Sequence, residues 1–217
     1  MHYSTQTPGS HELPWNPFKS CCIPRPIGWI STISSDGVPN LAPYSQFQNV
    51  TWDPPMVMFA ANRNETGARK DTVANAENYG WFNWNMATWD LRDAVMTTSR
   101  PALPHEDEFE LAGLTTKNAI DSEIPLVADS PCHFECRYLQ TISIPGDTPE
   151  GSVDIVLGRV TRVHVADGLI TDEGKLDVLR MKPIARLGYM DYTVVDNIFD
   201  MPTQQSRLPA GITGVAE

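Results

Sequence analysis

The chain has 217 residues, 41% hydrophobic and 20% charged, with 27 acidic against 16 basic side chains and a formal net charge of -11. That composition fits a folded domain with a sizeable core and excludes a disordered chain. It also excludes a duplex-binding protein, which needs a basic face to displace counterions, but leaves room for one small anion beside a few local cations.

Residues 1–23 read as an extended lead-in, with prolines at 8, 14 and 17. No cationic n-region or apolar h-region opens the chain, and no apolar run reaches the roughly 20 residues that span a bilayer. No nucleic-acid or membrane partner is expected, and a cytoplasmic protein is. One domain is expected over 24–200, with a tail over 201–217. Runs at 25–34 and 40–47 flank Ser35-Asp36-Gly37 and predict a β-hairpin. Pro43, inside the second run, marks an edge, a bulge or a rim, because proline cannot donate to a ladder. The apolar run 55–61 predicts a strand buried on both faces.

Asp71 is expected to N-cap a helix through Asn78, with Gly80 as its C-cap. Residues 81–86 predict a strand and 87–98 a helix, with Trp81, Trp84 and Trp89 as packing residues. The span 97–131 is rich in proline and acid and holds one helical turn; an irregular stretch of that length is usually functional or covers a site. Runs at 132–144 and 153–166 predict a second large hairpin. The sum is a mostly β, antiparallel barrel with a few short helices.

Cys21 and Cys22 are adjacent, and Cys132 and Cys136 lie too far apart along one strand face for an ordinary bridge, so all four read as structural thiols. No zinc-ligand spacing occurs, and no metal is expected. The five histidines are scattered. His105, before Glu106-Asp107-Glu108, is either a proton donor or without a role. Metalloprotease, α/β-hydrolase, P-loop and Rossmann motifs are all missing.

The hydroxyls of Ser31, Thr32 and Ser45 fall on or beside the first hairpin, and Arg69, Lys70 and Thr72 at the helix start. Strand hydroxyls are commonplace, and Arg69-Lys70 reads equally well as a solvated helix edge. Together they supply what a phosphate needs: charge-assisted donors, neutral hydroxyls and the free amides of a helix N-terminus.

Seven segments, in collinear order, resemble the flavin reductase-like family of FMN-binding split-barrel proteins. They are Pro-Arg-Pro-Ile-Gly-Trp-Ile-Ser-Thr at 24–32, Asp-Gly at 36–37, Asn-Leu-Ala-Pro-Tyr-Ser-Gln-Phe at 40–47, Asp-Pro-Pro-Met-Val-Met-Phe at 53–59, Lys-Asp-Thr at 70–72, Asp-Glu-Phe-Glu-Leu-Ala-Gly-Leu at 107–114 and Ser-Pro-Cys-His-Phe-Glu-Cys at 130–136. The resemblance implies a split β-barrel that works as a homodimer and binds FMN near the subunit interface. It carries over Ser31, Thr32, Ser45, Lys70 and Thr72 as holders of the phosphate and ribityl chain. Pro43 and Tyr44 would border the isoalloxazine, with Arg69 nearby. Asn62 and Arg63 fall in a stretch that varies within the family. Arg186, in Arg186-Leu187-Gly188-Tyr189, resembles a closing motif that approaches the flavin from the C-terminal side.

The implied activity is an FMN-dependent oxidoreductase taking hydride from NADH or NADPH and passing electrons to a second acceptor, for instance a partner oxygenase. The cofactor carries that chemistry, so no catalytic side chain is implied. A non-enzymatic FMN electron carrier serving a protein partner and a flavin-free binding module are the alternatives. The aromatic strand Trp81-Phe82-Asn83-Trp84-Asn85 departs from the more aliphatic family pattern and leaves substrate choice open.

Overall fold

The computed structural model describes residues 1–7, 9–103 and 105–201. A short helix α1 (Phe18–Cys21) and strand β1 (Arg25–Pro26) precede the hairpin of β2 (Gly28–Ile33) and β3 (Pro39–Tyr44). Then come β4 (Phe47–Trp52), β5 (Pro55–Asn62), α2 (Asp71–Tyr79), β6 (Trp81–Asn85), α3 (Arg92–Thr97) and α4 (Glu108–Leu111). A two-stranded piece of β7 (Thr116–Lys117) and β8 (Leu126–Val127) leads to the long β9 (Cys132–Ile144) and β10 (Val153–Val165), followed by α5 (Val178–Met181), β11 (Ile184–Gly188) and β12 (Asp191–Val194).

Seven strands pair antiparallel in the order β3-β2-β6-β9-β10-β5-β4. The outer two, β3 and β4, are joined only by Ser45 and Gln46, a span of at most about 11 Å. Opposite edges that close must meet, so the sheet curls into a barrel. Tyr44 lies against Phe59 at 5.1 Å between ring centroids, and the Ala60 amide donates to the Gln46 carbonyl. No ladder joins β3 to β4, and the barrel is split there.

Ile30, Phe59, Phe82, Cys136 and Val156 fill the interior, and Val73 and Ala76 of α2 close onto them. Each such large apolar side chain stabilises the fold by roughly 1.5–3 kcal/mol. Phe82 fits because Gly158 stands beside it: a Cβ there would lie 2.4 Å from the ring. α2 ends at Gly80, whose φ of 79° is the left-handed cap expected of glycine. A second core of Ile27, Trp29, Leu41, Val95, Phe109 and Ile184 packs α3, α4 and the small sheet β1-β11-β12 against the barrel.

Several expectations are corrected. The helix expected over 87–98 is only Arg92–Thr97, because Thr88 bridges Pro183 and the Trp89 amide donates to the Lys182 carbonyl. Trp84 is buried, but Trp89 is 47% exposed and carries Arg92 on its ring instead of packing in a core. Lys70, not Asp71, is the N-cap of α2. Met56 and Met58 are half-exposed, so β5 is not buried on both faces. From residue 202 the expected tail lies outside the described residues.

Within the span 98–131, residues 120–127 are held firmly. The buried side chains Asn83, Asn85, His133 and Glu135 reach out and answer their backbone. Asn83 donates to the Ile124 carbonyl (2.9 Å), and Asn85 accepts from the Val127 amide (2.9 Å). His133 Nε2 donates to the Val127 carbonyl (2.8 Å), and Glu135 accepts from the amides of Ile120 (2.9 Å) and Asp121 (2.6 Å). Buried backbone groups need such partners, and irregular chain cannot supply its own. Among the described residues no helix is long and apolar enough to cross a membrane, and no cluster of His, Cys, Asp and Glu could hold a metal ion. All four cysteines are free.

Candidate functional site

A cavity of about 830 Å³ opens where the split edge of the barrel meets the start of α2. That size falls in the usual range for cofactor sites. One wall is β3, contributing Asn40, Ala42, Pro43 and Tyr44. The pairing register puts residues 39, 41 and 43 outward from β2, since the Ser34 amide donates to the Val38 carbonyl and the hydrogen-bonded pairs then fall on even residues. Pro39 and Pro43 carry no amide hydrogen, and the remaining outward amide, Leu41, donates to Glu108 Oε2 at 3.0 Å. This edge is therefore closed to strand addition, and it is the edge that Pro43 requires. Burial pushes the Glu108 carboxyl above the ordinary range, opposed by that Leu41 bond.

The facing wall is the turn 63–69 running into α2. Lys70 is extended and exposed, and no side chain caps the helix. The Val73 and Ala74 amides return to the Lys70 carbonyl, but the Asp71 and Thr72 amides in the first turn have no intrahelical partner. Thr72 is buried and donates to Asn40 Oδ1 at 3.4 Å, linking the two walls. Burial raises the Tyr44 phenol far above its ordinary value, only partly opposed by Thr72, so it stays a neutral hydroxyl.

Charges sort into two kinds. Arg63 holds Asp154 in a two-pronged bridge (3.0 and 3.2 Å), and Arg69 holds Glu77 the same way (2.6 and 2.8 Å). Arg69 Nε also lies 3.4 Å from Asp154. Burial would raise the Asp154 carboxyl, but Arg63 and Ser143 outweigh it and hold it low; Arg69 likewise depresses Glu77. These arginines fix the turn. Lys70 and Arg100 have no described carboxylate within 4.0 Å and remain open to a ligand. Glu65, Asp71, Glu108 and Glu150 also line the cavity, so an anion is favoured only near Lys70 and the first amides of α2, where charge and dipole coincide. This donor set fits a phosphate monoester.

Of the expected residues, the cavity brings together Pro43, Tyr44, Arg63, Arg69, Lys70 and Thr72. Ser31 and Thr32 are fully buried and accept from Asn85 (3.2 Å) and Asn75 (3.3 Å), and neither lines it. Ser45 sits in the β3–β4 link outside it, and Asn62 faces the carbonyls of 150–152. Arg186 lines a different cavity, stacked on Tyr192. His105 is exposed and lines neither. Sequence reasoning missed Asn40, Glu108 and the segment 98–102. The only local signal was an Asp107-Glu108 helix start, whose Asp107 caps Phe109.

The profile of the family described as "Flavin reductase like domain" matches residues 20–185. An uncharacterised protein of Halalkalibacterium halodurans is 34% identical over 183 residues, covering 83% of this chain and 87% of that one. The crystal structure of nitrilotriacetate monooxygenase component B from Bacillus cereus superposes with a TM-score of 0.82 at 30% identity, covering 93% and 97% of the two chains. Pseudomonas fluorescens 2-nitrobenzoate 2-nitroreductase gives a TM-score of 0.80 at 22% identity, covering 97% and 100%, a likeness of fold.

Proposed function

The chain belongs to the flavin reductase-like domain family, and from that premise we propose that it is an FMN-dependent oxidoreductase using NADH or NADPH. The observation that carries this reading is the uncapped start of α2, with Lys70 and Thr72 facing the cavity beside the β3 edge. Lys70 and the Asp71 and Thr72 amides would hold the phosphate, each charge-assisted bond contributing about 1.5–3 kcal/mol. Asn40, Pro43 and Tyr44 would border the ring system. Bound FMN supplies hydride acceptance and electron transfer; the protein orients it and excludes water.

The acceptor we propose is a small organic substrate or free flavin handed to a partner oxygenase; the Bacillus cereus neighbour is one component of a monooxygenase. We also propose a homodimer. The outer face of β9, β10 and β5 presents Ile142, Ile144, Val153, Ile155, Leu157 and Met58 in paired register, with Ile142 and Ile144 44% and 45% exposed. An apolar row of that extent on a sheet marks an interaction surface.

The test is anaerobic mixing of the FMN-loaded protein with each nucleotide. Loss of the oxidised flavin absorbance with NADH or NADPH is expected. A loaded protein that stays oxidised with both rejects the reductase reading and leaves only electron transfer from a protein partner.

A further inference from the structure

A second cavity, of about 530 Å³, shares no lining residue with the first. It lies between the start of α3 and the β11–β12 hairpin, and Val95, Met96, Ile184 and Val194 make it mostly apolar. Two of its aromatic rings each carry a guanidinium: Arg92 Cζ is 4.3 Å from the Trp89 ring centroid and Arg186 Cζ is 4.6 Å from that of Tyr192. Arg186 is half-buried and fixed in place, donating from Nη1 to the Tyr192 hydroxyl (2.5 Å) and from Nη2 to the Tyr189 carbonyl. No described carboxylate lies within 4.0 Å of it.

The Tyr192 hydroxyl and the Tyr189 carbonyl take two of the five guanidinium donors of Arg186; three donors remain for an oxyanion, and two neutral partners leave the charge unanswered. Arg92 donates to the Trp89 carbonyl (2.7 Å), and its one described carboxylate neighbour is Asp93 at 3.8 Å, whose side chain is 90% exposed. Asp93 and Asp196 also stand at the rim and would repel a second negative charge. The site therefore selects one charge on an apolar body. We propose that this cavity binds a small aromatic monocarboxylate, its carboxylate on Arg186 and its ring among Met96, Ile184 and Val194. The proposal does not rest on the flavin reading.

Calorimetric titration of the whole protein with 2-naphthoate and the neutral isostere 2-naphthamide tests it, with FMN saturating and without. Naphthoate should bind at least about tenfold tighter than naphthamide, equally in both conditions. Arg186→Gln should weaken naphthoate about 10- to 100-fold and leave naphthamide within about twofold, which also shows that the fold persists. Met96→Trp, filling the cavity from its exposed side, should remove both. Equal affinity for acid and amide, no saturable binding, displacement of naphthoate by FMN, or indifference to Arg186→Gln or Met96→Trp would each overturn the proposal.

Discussion

Residues 63–72 and residues 98–131 are both polar stretches with little regular structure, and they use their polar groups in opposite ways. In the second, the backbone of 120–127 is answered from within by Asn83, Asn85, His133 and Glu135, all fully buried. In 63–72 the turn is held by Asn64 accepting from Thr66 and Ala68, and Arg63 and Arg69 are neutralised by Asp154 and Glu77. What remains there, Lys70 and the first amides of α2, the protein leaves unanswered. Polarity in a loop does not mark a site; polarity without an internal partner does.

The contrast breaks most sharply at Asn85. Its amide donates to the Trp29 carbonyl and Ser31 and accepts from Val127, all buried. Asn85→Ala strands these groups and should cost on the order of 4 kcal/mol, roughly 10 °C in Tm, with FMN affinity changed less than about threefold. A Tm within about 2 °C of the parent would mean that the staple is ornamental.

His133 gives the next largest effect. Burial depresses its imidazole from 6.5 to about 4. A depressed histidine leaves the unfolded chain holding the extra proton between those values, so the stability it contributes is complete above pH 6.5 and is lost as pH falls toward 4. The loss is roughly 3 kcal/mol. Urea denaturation at pH 7 and pH 4.5 should show a steeper loss in the parent than in His133→Gln, and parallel losses would contradict it.

On the other side of the comparison, Lys70→Ala should weaken FMN about 10- to 100-fold in a fluorescence titration while leaving Tm unchanged. Glu108→Gln should have the smallest effect, about 1 kcal/mol or less, because burial already pushes that carboxyl toward its neutral form. Its readout is faster hydrogen exchange at the Leu41 amide, and unaltered protection there would remove Glu108 as the latch of the β3 edge.

Much of the barrel was legible because its signals are local. Asp36-Gly37 announced the first hairpin, Gly80 the end of α2, and two long β-branched runs the pair β9–β10. β4 was not legible: Gln48-Asn49-Val50-Thr51 shows no alternation, although its partner β5 follows after only Asp53-Pro54. Lys70 and Thr72 could be placed at a helix start from sequence, but not the partners that separate scaffold from site. Asp154 lies 91 residues from Arg63, and Glu108 lies 67 from Leu41. Ser31 and Thr32 read as donors because nothing in their sequence shows that β2 is enclosed by β3, β6 and α2. Trp89 read as core because a helix over 87–98 would put it on a packed face, whereas the helix begins only at Arg92 and leaves Trp89 exposed.

The most direct test compares FMN with riboflavin, which lacks only the phosphate, in equilibrium titrations against the parent protein and Lys70→Ala. If the open start of α2 is the anion site, FMN binds at least about 100-fold tighter than riboflavin to the parent, and most of that preference disappears in Lys70→Ala. Equal affinity of the parent protein for the two flavins would contradict the account.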